Sequence, residues 1–372
     1  MVDKEELINI LRLINTDGIG PVGFYGYVNK AGNIADALEL AQNKKDLCSR
    51  SFALEELDKA EENGVEIISY KDVRYPAKLR QLNDAPPIIY ALGNTELLQY
   101  PAAISVVGAR NASIGGRKIA SRIAYDLTEN NVLIISGMAR GIDSAAHKGA
   151  LYAKGQHGAT IAVLGTGVDM VYPSENVDLY RNIVRQGLII SEFPLGTAAQ
   201  INNFPRRNRI ISALSDGTLV VEAGLHSGSL ITAKLALEQG KDVFAVPGSP
   251  LESRSVGPNH LIKEGAILTE NAEDILSVLS ISSAQQIKNR QFELLPLDKE
   301  QNKVNIPQQV KTVDEPAEDI RLLELISYEG VDIDELLRSS KLAQDDFFAE
   351  LLDLEFSGKI ERHAGNKVAR IK

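Results

Sequence analysis

The feature that most limits what this chain can fold into is a rhythm in its central part. Seven short apolar runs, at residues 104–107, 132–136, 160–164, 188–191, 218–222, 242–246 and 266–269, are mostly followed by a Gly-containing loop and then by residues in helical periodicity. Runs this short and this apolar read as strands buried on both faces. Their alternation with helices is the mark of a parallel sheet covered by helical layers. Two earlier runs, at 65–70 and 87–92, add candidate edge strands. The expectation is an α/β fold, doubly wound and mostly parallel, over residues 65–280.

The flanks read differently. Residues 1–64 form short helices, the first carrying Leu7, Ile8, Ile10, Leu11, Leu13 and Ile14 on an apolar face. It runs into Asp17-Gly18-Ile19-Gly20-Pro21-Val22, which is either a plain helix–helix connection or the turn of a helix-hairpin-helix (SAM-like) domain, whose backbone amides can hold a DNA phosphate. Residues 281–316 lose the apolar pattern in favour of Gln, Lys, Asn, Asp and Pro, and read as a linker. Residues 317–372 suggest three helices and two alternating strands around Gly365-Asn366, a winged-helix domain. That domain holds 13 acidic against 8 basic residues. Its third helix begins Gln344-Asp345-Asp346 and meets no Lys or Arg before Lys359. Phosphates would repel it, so it is expected to contact protein, or to clasp the central domain, rather than read a duplex.

The bulk numbers narrow the function. At 372 residues with 44% hydrophobic content the chain can bury a large core. A single cysteine, Cys48, excludes an internal disulfide and a Cys-rich zinc site. No run is long and apolar enough for a membrane span, and the opening Met1-Val2-Asp3-Lys4-Glu5-Glu6 is acidic, unlike a signal peptide. The expected location is cytoplasmic. A net charge of −10 argues against coating nucleic acid through charge alone, so any such site must be local.

One segment concentrates the opposite charge. Phe204-Pro205-Arg206-Arg207-Asn208-Arg209 places three guanidinium groups and an aromatic ring at a helix start, just ahead of a buried strand. Arginine forks suit phosphate, and a flat ring suits a stacked base. Three loops at strand ends are candidate partners. Gly108-Ala109-Arg110 with Ser113 follows the first run but lacks the G-x-G-x-x-G spacing, because Arg110 stands where a dinucleotide loop needs glycine. Gly137-Met138-Ala139-Arg140-Gly141 leads to Asp143 and His147, four apart on one helical face, which read as a structural hydrogen bond in preference to an acid/base couple or half of a metal site. Glu222-Ala223-Gly224-Leu225-His226-Ser227-Gly228-Ser229 can cradle a phosphate but lacks the Gly-Lys-Ser/Thr of a nucleotide-hydrolysing loop. No cofactor and no metal are expected.

Taken together these motifs, with Phe244-Ala245-Val246-Pro247-Gly248-Ser249-Pro250 and Gly257-Pro258-Asn259-His260-Leu261, resemble the DNA-processing protein A (DprA, or Smf) family over about residues 65–280. The resemblance implies an extended Rossmann-like fold that binds single-stranded DNA without catalysis. It implies protection of incoming DNA and loading of the RecA recombinase in natural transformation. Carried over by motif, the strand-contacting residues would be Gly108, Ala109, Arg110, Ser113, Arg140, Gly141, Phe204, Arg206, Arg207, Asn208, Arg209, Ser227, Gly228 and Ser229. A homodimer would form through the far sheet edge at Leu261, Ile262, Ala266, Ile267 and Leu268. Several members carry a lysine just before the Phe-Pro pair, where this chain has Asn202-Asn203. A second reading, a nucleotide phosphoribohydrolase with Glu222 as the acid, is opposed by the absence of the Pro-Gly-Gly-x-Gly-Thr loop of that group.

Overall fold

The protein is described by a computed structural model covering residues 3–153, 160–225, 227–286, 311–312, 322–328, 330–340, 342, 344–363 and 365–371. It opens with helices α1 (Lys4–Ile14), α2 (Pro21–Ala31), α3 (Ile34–Gln42) and α4 (Arg50–Glu62). Asn33 and Ser49 cap α3 and α4 by accepting the N–H groups of Asp36 and Phe52. The apolar face expected of the first helix is buried: Ile8, Ile10, Leu11 and Leu13 pack with Phe24 in one cluster with Tyr90 and Leu92 of the sheet. Glu56 of α4, itself buried, accepts the N–H of Leu195 and so ties these helices to the central layer.

The central elements follow in the order β1 (Glu66–Ser69), α5 (Ala77–Arg80), β2 (Ile88–Gly93), β3 (Ala103–Val107), α6 (Ile114–Glu129), β4 (Leu133–Ser136), α7 (Ile142–Tyr152), β5 (Thr160–Leu164), β6 (Met170–Val171), α8 (Val177–Gln186) and β7 (Leu188–Ser191). Then come α9 (Asn203–Leu214), β8 (Gly217–Val220), α10 (Gly228–Glu238), β9 (Asp242–Ala245), α11 (Val256–Lys263), β10 (Ile267–Leu268) and α12 (Ala272–Gln286). Among the described residues nine strands form one sheet, ordered β1-β2-β7-β5-β4-β3-β8-β9-β10. It is parallel from β7 to β10, with β1 and β2 antiparallel at one edge. Each expected strand is present, and both edge candidates are β1 and β2.

The pleat divides the core. Ile135, Ile161, Val163 and Ile190 pack on one face with α9, α10 and α11, while Ile104, Val106 and Ile134 pack on the other with α6, α7 and α12. From β3 the chain winds outward through β4, β5 and β7, then crosses back to β8 beside β3. The loops after β3 and β8 therefore lead to helices in opposite layers, and sheets of this kind bind ligands at the carboxyl ends of their strands.

The stretch read as a linker carries some order. Helix α12 continues to Gln286, and β11 (Lys311–Thr312) pairs with β6 in parallel. Two residues are too few to show a strand period, so the sequence carried no sign of β11. Most of the remaining linker lies outside the described residues. Next come α13 (Leu322–Leu325), β12 (Val331–Asp332), α14 (Ile333–Ser340), α15 (Gln344–Phe356), β13 (Ile360–His363) and β14 (Lys367–Arg370). The two wing strands are joined by β12, again too short to be read in advance. This winged helix seats on α6. Ile114 enters its core cluster, Lys118 pairs with Glu335 at 2.8 Å, and the Tyr328 N–H donates to Glu252 at 3.0 Å.

Candidate nucleic-acid interface

At the carboxyl ends of β3, β4 and β5 the loop after β3 carries Arg110, whose guanidinium lies 5.4 Å from the centre of the Phe204 ring. The same ring meets Tyr172 at 5.3 Å with a tilt of 31°. The aromatic pair and the cation border a depression of about 10 Å³, walled by Gly137, Ala139, Leu164, Gly165, Thr166 and Arg207. Gly165 lets Phe204 lie close, since a Cβ there would stand 3.1 Å from the ring. A hollow that small holds a water and not an enclosed cofactor, whose sites run to about 300–1,000 Å³. It suits a ligand that lies across a surface, stacking on rings beside a cation.

The three arginines of α9 have separate fates. Arg207 is buried, with Nη1 donating to the carbonyls of Gly137 at 2.5 Å and Val163 at 2.6 Å. Burial pushes its pKa down to about 10, opposed by the nearby Asp143 carboxylate. Gly137 is required there, because a Cβ would lie 1.9 Å from Arg207 Nη1. Arg209 is also buried, held by Glu192 and by Asp84 at 3.2 Å. Burial raises the Glu192 pKa, with Arg209 pulling the other way. Arg206 alone of the three is half exposed, its guanidinium 4.8 Å from the centre of the Phe193 ring. The structure thus spends Arg207 and Arg209 on the fold, although the charge of Arg207 remains under the depression. One signal was available in the sequence: Arg207 shares the i, i+3, i+4, i+7 stripe of Ile210, Ile211 and Leu214.

The remaining candidates are fixed by local bonds. Gly108 and Ala109 knit the β3 loop to its neighbours, the Ala109 N–H donating to Glu222 O and its carbonyl accepting from Ile142. Ser113 caps α6, accepting from Gly116 at 2.9 Å and donating to Glu222 at 2.5 Å. Arg140 pairs with Glu175 at 3.2 Å, and Gly141 turns the chain into α7. Asn208 donates to Gly228 O at 3.4 Å, and Ser227 caps α10 by accepting from Ser229 N–H. His226 lies outside the described residues. Tyr172, Thr166, Glu192 and Asp84 were not singled out from the sequence. No motif frames them, and they reach the site from segments distant in the chain.

Asp143 and His147 are structural, as expected, but each bonds to the loop after β4 and not to the other. Asp143 accepts the N–H groups of Gly137 and Ala139, and burial raises its pKa against the pull of Arg207. His147 Nε2 accepts from Met138 N–H at 3.3 Å, which places its proton on Nδ1, donating to Thr160 Oγ1 at 2.7 Å. Burial, with Arg207 adding to it, pushes the imidazole pKa from 6.5 down to about 3. Between those values the unfolded chain binds a proton that the folded one refuses, so stability falls as pH drops through that window. Lowering the pH from 7.5 to 5.0 should cost roughly 2 kcal/mol from this group. Urea unfolding at the two pH values should show that loss in the native protein and a smaller one in His147→Gln; equal losses would refute it.

Comparison with known proteins adds an independent line. The profile of the family "DNA recombination-mediator protein A" matches residues 66–280, and that of the "DprA winged helix domain" matches residues 307–366. The DNA processing protein DprA of Streptococcus pneumoniae is 41% identical over 247 residues, spanning 66% of this chain and 86% of its own. Protein Smf of Synechocystis is 34% identical over 333 residues, 84% of this chain and 82% of its own. The X-ray structure of the pneumococcal protein superposes with a TM-score of 0.62 at 35% identity, covering 74% of this chain and 98% of that one. A structure of DNA processing protein A from Helicobacter pylori, described for its single-stranded DNA binding mode, has a TM-score of 0.53 at 29% identity, covering 58% and 97%.

Proposed function

Since the chain belongs to the DNA recombination-mediator protein A family, we propose that it binds single-stranded DNA without catalysing a reaction on it, protecting incoming strands and loading the RecA recombinase onto them during natural transformation. The observation that carries this reading is Arg110 over the Phe204 ring, which in turn meets Tyr172, at the carboxyl ends of β3, β4 and β5. A cation over paired rings on an open surface serves a backbone phosphate and a splayed base together. The single-stranded DNA binding mode of the Helicobacter pylori relative points the same way. Arg206 extends the positive surface, and the loops at Gly108, Arg140 and Ser227 shape its rim.

A homodimer belongs to the same reading. Strand β10 ends the sheet, and Leu268 is 48% exposed beside the partly covered Ile262, Ala266 and Ile267, with Leu261 buried beneath. An uncovered apolar edge is a place for a second copy to pair. The rival reading, hydrolysis of a nucleotide with Glu222 as the acid, is disfavoured because that carboxylate accepts from both the N–H and the hydroxyl of Ser113. Release of base from nucleoside monophosphates would support it.

The direct test is Arg110→Ala. Its loop position predicts an unchanged fold and single-strand affinity reduced about 3–10-fold, with the salt dependence flattened by about one counterion. Fluorescence anisotropy over a salt titration measures both, and an unaltered slope and affinity would remove Arg110 from the site.

A further inference from the structure

A groove of about 400 Å³ lies between the turn joining α1 to α2 and the carboxyl edge of the sheet, with Gly20 and Pro21 on one wall and Phe193 and Arg206 on the other. It is large enough for a nucleotide, and it is separate from the Arg110–Phe204 depression. Helix α2 opens without a side-chain cap, so the N–H groups of its first turn offer the positive end of the helix to an anion. Lys45 adds a cation, its Nζ 2.7 Å from where a Cβ on Gly18 would stand. Arg206 adds another from the opposite wall, half exposed over the Phe193 ring and reaching Glu192 at 3.7 Å with Nη2 only, at the long end of an ion pair.

The groove also holds a group of the opposite kind. Glu192 lines it with a side chain only 4% exposed; its Oε2 is taken by Arg209 and lies 3.7 Å from Arg206, while its Oε1 is buried with no hydrogen-bond partner among the described residues. A buried acceptor left unfilled calls for a donor. Inorganic phosphate would satisfy the cationic side and leave Glu192 as it is, and a metal ion would be repelled by Lys45 and Arg206. A nucleotide meets both needs, because its phosphate is the anion and its base edge carries N–H groups.

We infer that this groove is a second subsite for the strand held at Arg110 and Phe204, taking a nucleotide whose phosphate lies at the start of α2 and whose base edge faces Glu192. The inference rests on the single-stranded DNA reading above. Helix α9 links the two subsites, since Phe204 belongs to the first and Arg206, two residues on, to the second. A strand crossing the first turn of α9 passes from one to the other, and the hairpin-like turn noted in the sequence becomes part of the DNA path.

Val22→Glu tests this. Val22 is 65% exposed in the first turn of α2, where a carboxylate favours the helix dipole but repels a phosphate. With a labelled strand of about 24 nucleotides the variant should bind about 3–10-fold more weakly, with the salt slope reduced by about one. A strand of about 8 nucleotides, short enough to be held at Phe204 alone, should bind as it does to the native chain. Lys45→Glu should reproduce the pattern. The native chain should also bind the longer strand less well when its outer half is abasic, and equal binding would overturn the nucleotide assignment. Equal loss on both lengths, or no loss on either, overturns the subsite and leaves the Arg110 site standing. Failure of the native chain to bind either strand overturns both readings.

Discussion

Arg207→Met is expected to destabilise the central sheet by about 3–5 kcal/mol, because two buried carbonyls lose their donor and a buried carboxylate loses a nearby cation. The methionine matches the length of the stem but strips the donors from the Gly137 and Val163 carbonyls. It also leaves Asp143 buried without the cation that offsets its desolvation. Those carbonyls lie at the ends of β4 and β5, so the damage falls where the loops of the candidate interface begin. Arg206→Met, at the neighbouring but half-exposed position, should change stability by less than about 1 kcal/mol. Urea unfolding of the two variants at pH 7.5 measures the contrast, and equal stabilities would show that the buried guanidinium is not what joins these strands.

Phe204→Ala is expected to have the largest effect on DNA. Base stacking on an aromatic ring contributes about 1–3 kcal/mol, so losing the ring should weaken single-strand binding about 10–100-fold. The change also removes the surface on which Arg110 rests and the partner of Tyr172, so it should exceed the loss in Arg110→Ala. Unlike that loss, it should leave the salt slope nearly intact, because no cation is removed. Phe204→Trp should retain most of the affinity. If Phe204→Ala binds as the native chain does while keeping its helical signal, the ring takes no part in recognition.

The two variants mark different depths of information. That α9 begins near Phe204, carries a basic start and leads to a buried strand was legible in the residues themselves. The winged-helix domain was legible in the same way, and its excess of acid anticipated a domain seated on the rest of the chain, as the Lys118–Glu335 and Tyr328–Glu252 contacts place it. Strands β11 and β12 were not legible, because two residues have no period, and neither was the part played by Tyr172, which no motif frames.

What the sequence by itself determined was the order of strands and helices and the parallel character of the sheet. Those follow from run length and periodicity, which are properties of neighbouring residues. The tertiary structure decided what each arginine of α9 does. About 100° of rotation per residue points Arg206, Arg207 and Arg209 in different directions. Their surroundings are then set by groups far away in the chain: Gly137 and Val163 for one, Asp84 and Glu192 for another, solvent, Phe193 and the edge of Glu192 for the third. Whether a charge is buried into the fold or left at the surface depends on the packing of remote segments, which neighbouring residues do not specify.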